Sequence, residues 1–351
     1  MFGFFKNFGG VSQDIGIDLG TASVLVYVKG KGIVIEEPSV VAIDTNTDQL
    51  LAVGTAAQRM IGRTPCNIEA IRPLREGVIS DFHMTEVMLK YFLAKVCKNR
   101  VVKPRIIVCV PSGVTDVEAR AVRDAALQAG ASKTRLIEEP MAAAIGAGLD
   151  ISQPCGRLVV DIGGGTCDIA VISLGGIVNS VSIKVAGDKF DDAIIKYVRK
   201  RYNVLIGETT AEKIKCSVGT VFDDGDLFNI ANSIEAKGRS LITGLPKSFT
   251  ISSSDLIDVL TESAMEIVEA VKIMIEDTPP ELVGDISSNG IVMTGGGSLL
   301  KGLDKLLTKE TGIECRVADN AISCVAIGTG KALDHIEHLR DDYSNQSYYP
   351  R

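Results

Sequence analysis

Two stretches of this chain share one plan: Ile15-Gly16-Ile17-Asp18-Leu19-Gly20-Thr21 and Val159-Val160-Asp161-Ile162-Gly163-Gly164-Gly165-Thr166. Each begins as an apolar strand, passes through an Asp-x-Gly turn to a threonine and leads into a second apolar strand. The two aspartates, Asp18 and Asp161, are 143 residues apart, which is the size of one domain. The repeat therefore predicts two similar domains whose glycine-rich hairpin turns face one cleft.

The residue types in these turns indicate what the cleft binds. Glycine lets backbone N–H groups approach phosphate oxygens closely, and several such groups together bind an anion. Aspartates at strand ends suit a hydrated Mg²⁺ ion, which keeps most of its waters and takes few protein ligands. Either turn alone is common in proteins, but the pair at domain spacing predicts a bound phosphate group, with a metal ion beside Asp18 and Asp161.

A third glycine run, Thr294-Gly295-Gly296-Gly297-Ser298, follows a strand predicted at 291–293 and precedes a helix predicted to begin at Leu299. Its backbone is expected to pack flat against a nucleoside. The chain contains neither a GxGxxG run with a downstream acidic residue nor a GxxxxGK[ST] motif. Rossmann and P-loop sites are therefore disfavoured.

The composition limits the classes of function. The 351 residues carry a formal net charge of −7, with 46% hydrophobic and 23% charged residues, which is typical of a soluble globular protein with two core-bearing domains. The acidic balance argues against direct binding to nucleic acid, because such binders normally have a basic face or tail. No apolar run approaches the length of about 18 residues that a transmembrane helix needs.

The eight cysteines form no CxxC pair and no close cluster with histidine. Several lie within apolar, strand-like runs, where a free thiol behaves as a small hydrophobic side chain. A disulfide framework and a zinc site are therefore disfavoured, and the reducing cytoplasm is the expected compartment.

Hydrophobic periodicity predicts the helices and strands around the turns. Helices are predicted at 84–98, from Thr115 or Asp116 to about Ala129, at 191–201 and at 256–275. A buried strand is predicted at 106–110, and a polar stretch with short strands is predicted to continue to about Thr250.

Four of the ten phenylalanines lie among the first eight residues: Phe2, Phe4, Phe5 and Phe8. This segment is too short for a secretory signal and lacks its charged region and cleavage site. Phe4, Phe5 and Phe8 share one helical face, although the neighbouring glycines weaken a helix here. Two interpretations remain open: an interfacial membrane anchor, which would need many copies acting together, and a terminus folded back on the core.

Four motifs point to a known family: Asp18-Leu19-Gly20-Thr21-Ala22, Ile137-Glu138-Glu139-Pro140-Met141-Ala142-Ala143-Ala144, Asp161-Ile162-Gly163-Gly164-Gly165-Thr166 and Thr294-Gly295-Gly296-Gly297. Together they resemble the motifs of the actin-type ATPase superfamily, and within it the chain closely resembles the MreB family of bacterial actins. The resemblance runs from about Ile15 to Leu333 and includes Glu37-Pro38-Ser39-Val40-Val41-Ala42 and Gly62-Arg63-Thr64-Pro65. This coverage is more specific than the phosphate turns, which sugar kinases and heat-shock ATPases also carry.

The resemblance implies an α/β, actin-like ATPase fold with a nucleotide in the cleft between two similar lobes. Each lobe has a core and a smaller inserted subdomain. The first lobe is expected to comprise residues 1–152 and 324–351, with its insertion at 41–73. The second is expected to comprise residues 153–323, with its insertion at 190–253.

The resemblance also implies a role for each matching residue. The phosphates of ATP would meet Thr21, Ala22 and Ser23 on the first turn and Gly163, Gly164 and Gly165 on the second, with Mg²⁺ beside Asp18 and Asp161. The ribose and base would contact Glu212, Lys213, Ile214 and Lys215, and the adenosine would be flanked by Gly295, Gly296, Gly297 and Ser298. Glu139 would orient the attacking water, helped by the hydroxyl of Thr166. Phosphoryl transfer needs positioning and charge neutralisation more than covalent chemistry, so a water-orienting carboxylate beside Mg²⁺ suffices.

Three residues next to these positions, Glu138, Cys167 and Asp168, are not assigned a role in binding or hydrolysis. Glu138 is expected to be a solvated or salt-bridged carboxylate rather than a functional one. Cys167-Asp168 departs from the resemblance, because relatives often carry Thr-Glu there. Asp168 is one methylene shorter than glutamate, which puts any contact of the longer side chain in question, and Cys167 is expected to be a packed thiol.

A second membrane element is predicted in the loop Asn99-Arg100-Val101-Val102-Lys103-Pro104. In MreB-like proteins the corresponding loop is apolar and lies near the N-terminus on the membrane side. By this resemblance, Val101 and Val102 would enter lipid while the two cations meet anionic head groups. The alternative is a helix-to-strand connector whose valines are incidental.

The implied function is that of a slow ATPase whose ATP-dependent filaments assemble on the inner face of the cell membrane and organise cell-wall synthesis to maintain rod shape. The implied partners are further copies of the chain in a head-to-tail polymer with paired protofilaments, an anionic membrane surface and transmembrane cell-wall elongation proteins. The expected location is cytoplasmic and peripheral to the membrane. Alternatives on the same fold are a small-molecule kinase, a plasmid-segregation filament and a chaperone-type ATPase, the last disfavoured because no substrate domain is appended.

Overall fold

The computed structural model describes residues 14–97, 103–223 and 232–336, which form two five-stranded sheets, three smaller sheets and the helices that cover them. The candidate membrane residues Phe2, Phe4, Phe5, Phe8, Val101 and Val102 lie outside these ranges. Within these ranges, no helix is long and apolar enough to cross a membrane.

The elements are numbered in chain order. The strands are β1 (Asp14–Leu19), β2 (Ser23–Val28), β3 (Gly32–Pro38), β4 (Val41–Asp44), β5 (Gln49–Val53), β6 (Ile68–Ile71), β7 (Leu74–Arg75), β8 (Val78–Ile79), β9 (Arg105–Val110), β10 (Lys133–Glu138), β11 (Arg157–Ile162), β12 (Cys167–Ser173), β13 (Gly176–Ile183), β14 (Val204–Leu205), β15 (Ser233–Ser240), β16 (Pro246–Ser252), β17 (Ile291–Thr294) and β18 (Cys315–Val317). The helices are α1 (Thr55–Gln58), α2 (Phe82–Val96), α3 (Asp116–Gln128), α4 (Glu139–Gly146), α5 (Gly187–Tyr202), α6 (Glu208–Val218), α7 (Ser253–Glu276), α8 (Pro280–Asn289), α9 (Leu303–Thr311) and α10 (Cys324–Ala332).

The first five-stranded sheet has the order β10-β9-β1-β2-β3. Its centre is β1, which pairs antiparallel with β2 and parallel with β9. Both faces are covered: Ile15 packs with Met88 and Phe92 of α2, whereas Ile107 of β9 packs with Met141 of α4. Burial on both sides explains why the inner strands are nearly continuous runs of apolar residues.

The second five-stranded sheet, β13-β12-β11-β17-β18, repeats this plan. Its strand β11 pairs antiparallel with β12 and parallel with β17, as β1 does with β2 and β9. Asp18 and Asp161 therefore occupy equivalent positions near the ends of equivalent strands. The repeat in the sequence corresponds to two sheets of equivalent topology.

Two three-stranded sheets accompany the large ones. The sheet β5-β4-β6 lies within the predicted insertion at 41–73, and the sheet β14-β15-β16 lies within the predicted insertion at 190–253. The limits predicted for the two lobes stay a prediction.

Helices α4 and α10 pack against each other between the two large sheets. The helix α10 also contacts β1, and α4 also contacts β11 and β12. A Cβ on Gly328 would overlap the backbone of Ala142, and one on Gly146 would overlap the backbone of Cys324. The two helices therefore touch at backbone distance, which requires glycine at both crossing points.

Two helix starts differ in how well they follow from local sequence. As predicted, α3 begins at a capping residue, Thr115, which forms a capping box with Glu118. The helix predicted to begin at Leu299 is wrong, because Gly296–Leu299 forms a 3₁₀ turn and α9 begins at Leu303. Gly302 adopts a left-handed conformation with φ 80° and ψ 4°, which interrupts any continuous helix.

Candidate functional site

A cavity of about 770 Å³ is lined by the turns of both large sheets and by α6. This volume is within the usual range of ligand pockets. Most residues predicted to bind the nucleotide or its metal line this cavity: Asp18, Ala22, Ser23, Glu139, Asp161, Gly163, Gly164, Thr166, Glu212, Lys215, Gly295, Gly296 and Gly297. The fold thus brings together side chains from both halves of the chain.

The two glycine turns lie opposite each other on the wall of the cavity. In the first, the Gly20 N–H donates a hydrogen bond to the carbonyl oxygen of Ser23 at 3.1 Å. In the second, the Gly163 N–H donates to the carbonyl oxygen of Thr166 at 2.8 Å. A Cβ on Gly164 would lie only 2.6 Å from the Cβ of Ala22, so the absence of a side chain is what lets the turns meet.

Equivalent neighbouring strands support the two aspartates. Thr294 Oγ1, on β17, donates a hydrogen bond to Asp161 Oδ1 at 2.6 Å. Cys109 Sγ, on β9, donates to Asp18 Oδ1 at 3.3 Å. Each contact comes from the parallel neighbour of the strand that carries the aspartate, so the internal repeat extends to the supporting side chains.

Asp18, Glu139, Asp161 and Asp168 form an acidic group, and burial is the main cause of their raised pKa values. Burial and the charge of Asp161 raise the pKa of Asp18 to about 7, and burial raises the pKa of Asp161 to about 6 against the opposing hydrogen bond from Thr294. Burial, with repulsion from Asp168, Asp161 and Asp18, raises the pKa of Glu139 well above its usual range. These carboxylates would therefore be stabilised in their charged form by a nearby cation.

The donor set fits a divalent cation that prefers oxygen ligands. Proteins usually hold Mg²⁺ through one or two carboxylates together with substrate phosphates, and Asp18 and Asp161 lie beside turns suited to phosphate. Across 14–97, 103–223 and 232–336, no group of three or more ligating side chains is arranged to hold a metal ion by itself.

The raised pKa of Asp18 predicts a gain in stability when its charge is removed. The folded pKa lies above the usual 3.8, so the carboxyl's contribution to stability is lost as pH rises toward about 7. Without Mg²⁺ and nucleotide, Asp18→Asn should raise the free energy of unfolding by roughly 2–4 kcal/mol at pH 8 and change it little at pH 4. Urea denaturation across this range measures the difference.

The exposed carboxylate of Asp150 provides the matched control for this prediction. Hydrogen bonds from Ser152 lower the pKa of Asp150, so Asp150→Asn should show no gain in stability as pH rises. Parallel pH profiles for Asp18→Asn and the unaltered chain would contradict the prediction.

Glu139 is the first residue of α4 and lines the cavity together with Thr166. Pro140 follows it and favours the backbone geometry of a first helical turn. The expectation of a solvated or salt-bridged Glu138 needs correction, because Oε2 of Glu138 accepts a hydrogen bond from Ser112 Oγ at 3.1 Å and burial raises the pKa of Glu138. The two adjacent carboxylates thus have different surroundings.

The helix α6 presents only part of its predicted set to the cavity. Glu212 and Lys215 line it, and Lys215 Nζ donates to Asp191 Oδ2 at 2.8 Å and to the carbonyl oxygen of Gly187 at 2.9 Å. Ile214 is buried in the hydrophobic core, and Lys213 is exposed. The difference follows from helical periodicity, because neighbouring residues point in different directions.

Three further predicted residues lie behind the wall of the cavity. Thr21 is buried, and its Oγ1 accepts a hydrogen bond from the Gly77 N–H at 3.0 Å. A Cβ on Gly165 would approach Thr21 Oγ1 to 2.7 Å. Ser298 Oγ donates to the carbonyl oxygen of Gly295 at 2.7 Å. The structure brings these three residues next to the glycine turns but not onto the cavity surface.

Arg72 and Asp188 also line the cavity, although neither was predicted from the sequence. Arg72 Nη1 lies 3.1 Å from Asp188 Oδ1, which joins the loop between β6 and β7 to the first turn of α5. The two residues are 116 positions apart, and no local motif relates them. Only their position in the fold identifies them.

The two residues that depart from the resemblance are both buried. Cys167 is fully buried, which confirms the expectation of a packed thiol. Asp168 is also fully buried, and its Oδ1 accepts a hydrogen bond from the Ser112 N–H at 2.7 Å. The shorter carboxylate therefore has a definite partner.

Comparison with known proteins identifies close relatives. The profile of the MreB/Mbl protein family matches residues 12–341. The chain is 54% identical over 329 residues to the cell shape-determining protein Mbl of Bacillus subtilis (strain 168), covering 93% of this chain and 98% of the relative. It is 51% identical over 349 residues to the cell shape-determining protein MreB of Escherichia coli (strain K12), covering 97% of this chain and 99% of the relative.

Solved structures confirm the actin-like fold. The crystal structure of MreB 5 of Spiroplasma citri bound to AMPPNP matches with a TM-score of 0.88 and 40% identity, covering 93% of this chain and 97% of the other. A chain of the MamK double helical filament matches with a TM-score of 0.78 at 19% identity, covering 92% and 99%, and supports the fold alone. With a family profile over nearly its whole length and relatives at about 50% identity, the chain belongs to the MreB/Mbl family of actin-like proteins.

Proposed function

We propose that this chain binds ATP and Mg²⁺ in the cavity and hydrolyses the ATP slowly. The observation that carries the proposal is the pair of glycine turns that meet beside Asp18 and Asp161. Crystal structures of the related MreB 5 of Spiroplasma citri contain AMPPNP or ADP, which supports an adenine nucleotide as the ligand.

The walls of the cavity would have separate tasks in binding. Phosphate oxygens would accept hydrogen bonds from both glycine turns. The first turn carries Thr21, Ala22 and Ser23, and the second carries Gly163, Gly164 and Gly165. Glu212 and Lys215 of α6 would contact the ribose and base, with Lys213 and Ile214 supporting that helix. Gly295, Gly296 and Gly297, braced by Ser298, would flank the adenosine. This assignment divides the nucleotide between both large sheets, so binding would favour the closed arrangement of the two lobes.

Hydrolysis would depend on positioning a water. Asp18 and Asp161 would hold Mg²⁺, which neutralises phosphate charge when bound. Glu139 would orient the attacking water from the start of α4, and the hydroxyl of Thr166 would help from the opposite turn. Slow turnover would be consistent with a nucleotide that controls closure of the two lobes. Lobe closure would in turn control assembly of the filament.

The proposal extends to filaments on a membrane. The relatives Mbl and MreB are cell shape-determining proteins, which supports a role in maintaining rod shape through cell-wall synthesis. Copies of the chain would join head to tail, a contact that does not close, and protofilaments would pair. The N-terminal phenylalanines with Val101 and Val102 would attach the polymer to an anionic inner membrane surface. Transmembrane cell-wall elongation proteins would be its partners there.

Electron microscopy on an anionic lipid monolayer tests the polymer and the anchor together. With ATP and Mg²⁺, the full chain should form filaments that lie on the lipid, because many weak anchors act together along one polymer. A chain that lacks residues 1–8 should form filaments at similar concentrations but bind lipid at least about tenfold less. Omitting the nucleotide should remove the filaments.

Each alternative has its own outcome in this experiment. Filaments that form but do not bind lipid would support the actin-like polymer and refute the membrane anchor. A compact monomer that transfers phosphate to sugars would favour the small-molecule kinase. Filaments that bind adaptor-coated DNA instead of lipid would favour plasmid segregation.

A further inference from the structure

A hydrogen bond joins the second large sheet to the first beside the acidic group. Asp168 lies on β12 and is fully buried, and its Oδ1 accepts a hydrogen bond from the backbone N–H of Ser112 at 2.7 Å. Ser112 follows β9 of the other sheet and is only 2% exposed. A buried carboxyl group is costly unless donors satisfy it, so the 2.7 Å bond from Ser112 stabilises Asp168 in this position. This contact therefore fixes the spacing of the two segments.

Ser112 continues the connection toward Glu139. Its Oγ donates a hydrogen bond to Oε2 of Glu138 at 3.1 Å. Glu138 is the N-cap of α4, with extended backbone at φ −70° and ψ 138°, and Glu139 is the next residue. A displacement of Ser112 would therefore be transmitted to the start of α4, where Glu139 enters the cavity.

The other end of the connection lies at the phosphate turn. Thr166 precedes Asp168 by two residues and lines the cavity. The contacts thus run from the turn that carries Thr166, through Asp168 and Ser112, to the residue before Glu139. One end belongs to the second large sheet and the other to the first.

We infer that Asp168 is a positioning residue, which holds Ser112 and, through Glu138, sets the place of Glu139 relative to the phosphate turn of the opposite lobe. The inference rests on the ATPase activity proposed above and adds to it a specific link between lobe closure and hydrolysis. When the lobes separate, the Asp168–Ser112 bond breaks, and Glu139 is no longer held in position relative to Thr166.

Three full-length variants test this inference. Asp168→Ala removes the acceptor, Asp168→Asn keeps an acceptor oxygen on a side chain of equal length, and Ser112→Ala removes only the hydroxyl. Phosphate release at increasing Mg²⁺-ATP should show kcat at least about tenfold lower for Asp168→Ala, with KM within about threefold. Asp168→Asn should restore at least about a third of the original kcat, and Ser112→Ala should lower kcat by about three- to tenfold.

Hydrogen–deuterium exchange provides a readout that does not need hydrolysis. The Ser112 amide should exchange at least about tenfold faster in Asp168→Ala than in the unaltered chain, because its acceptor is gone. Asp168→Asn should keep the slow exchange. Unchanged exchange in Asp168→Ala would overturn the inference.

Thr278→Val is the matched control. It removes another buried hydrogen bond, from Thr278 Oγ1 to the Met274 carbonyl oxygen at 2.6 Å, and Thr278 lies just after the end of α7, outside the cavity lining. It should lower Tm without changing kcat. An unchanged kcat in Asp168→Ala, an equal loss in Asp168→Asn, or the same loss in Thr278→Val would overturn the inference. If Asp168→Ala does not fold, an unchanged kcat in Ser112→Ala would overturn it.

A failure of the proposed function is separate from these outcomes. If the unaltered chain releases no phosphate, the ATPase proposal fails. Exchange of the Ser112 amide would then still decide whether Asp168 joins the two lobes.

Discussion

Replacing Glu139 with glutamine is expected to lower the rate of ATP hydrolysis by about 100-fold or more, while the affinity for ATP stays within about threefold. Glutamine has nearly the same size as glutamate, so packing at the start of α4 is retained. It lacks the negative charge and the second acceptor oxygen that orient and polarise a water. The loss should therefore appear in kcat and not in nucleotide binding.

The surroundings of Glu139 also predict how the substitution affects stability. Its carboxylate lies in the cavity beside Asp18, Asp161 and Asp168, whose charges raise its pKa together with burial. The variant relieves this repulsion, so it should also be at least as stable as the unaltered chain without ligand. Loss of activity with retained stability would distinguish a lost chemical role from misfolding.

Single-turnover phosphate release and the binding of a fluorescent ATP analogue measure the two quantities. Glu86→Gln is the matched control, because it makes the same chemical change on α2, where Glu86 pairs with Lys90 outside the cavity lining. It should leave hydrolysis within about twofold. A Glu139→Gln variant that hydrolyses ATP at the original rate would exclude Glu139 as the water-orienting residue.

Gly328→Ala is expected to destabilise the fold by about 3 kcal/mol or more, which is a large part of the net stability of a typical folded domain. The added Cβ would overlap the backbone of Ala142 in α4. A side chain can change rotamer to relieve an overlap, but a helix backbone has to move as a whole. Separation of α4 and α10 would also disturb the buried cluster around Met141 and Val325.

Gly284→Ala provides the matched control for this prediction. Gly284 lies within α8, and no atom lies within 4 Å of the position that a Cβ would take. Alanine has a higher helix propensity, so this variant should gain about 0.5–1 kcal/mol. Thermal unfolding of both variants measures the contrast, and Gly328→Ala with an unchanged Tm would refute backbone contact between α4 and α10.

Local sequence was sufficient for the features that depend on neighbouring residues. The repeated turns at Asp18 and Asp161, the cap at Thr115 and the apolar runs of the buried strands could all be predicted before the fold was known. Resemblance to a family then added the roles of residues such as Glu139, which no local pattern distinguishes from Glu138. Hydrophobic periodicity and turn chemistry act over a few residues, so a linear sequence contains them directly.

The orientation of an element within the fold was not predictable in the same way. The run from Glu212 to Lys215 was predicted to contact the nucleotide as one set, although Ile214 faces the core and Lys213 faces solvent. The helix predicted at Leu299 begins four residues later because Gly302 packs against Phe222 in a left-handed conformation. Both outcomes depend on which neighbours the chain meets after folding.

By itself, the sequence determined the two-sheet architecture, the glycine turns and the family. Only the tertiary structure decided that Asp168 meets Ser112, that Arg72 meets Asp188 and that α4 touches α10 through glycine. The partners in these contacts are 56, 116 and 186 residues apart along the chain, for Asp168, Arg72 and Gly328 respectively. Local propensities cannot specify such pairs, because their energy arises from burial and close packing, which exist only once distant segments are brought together.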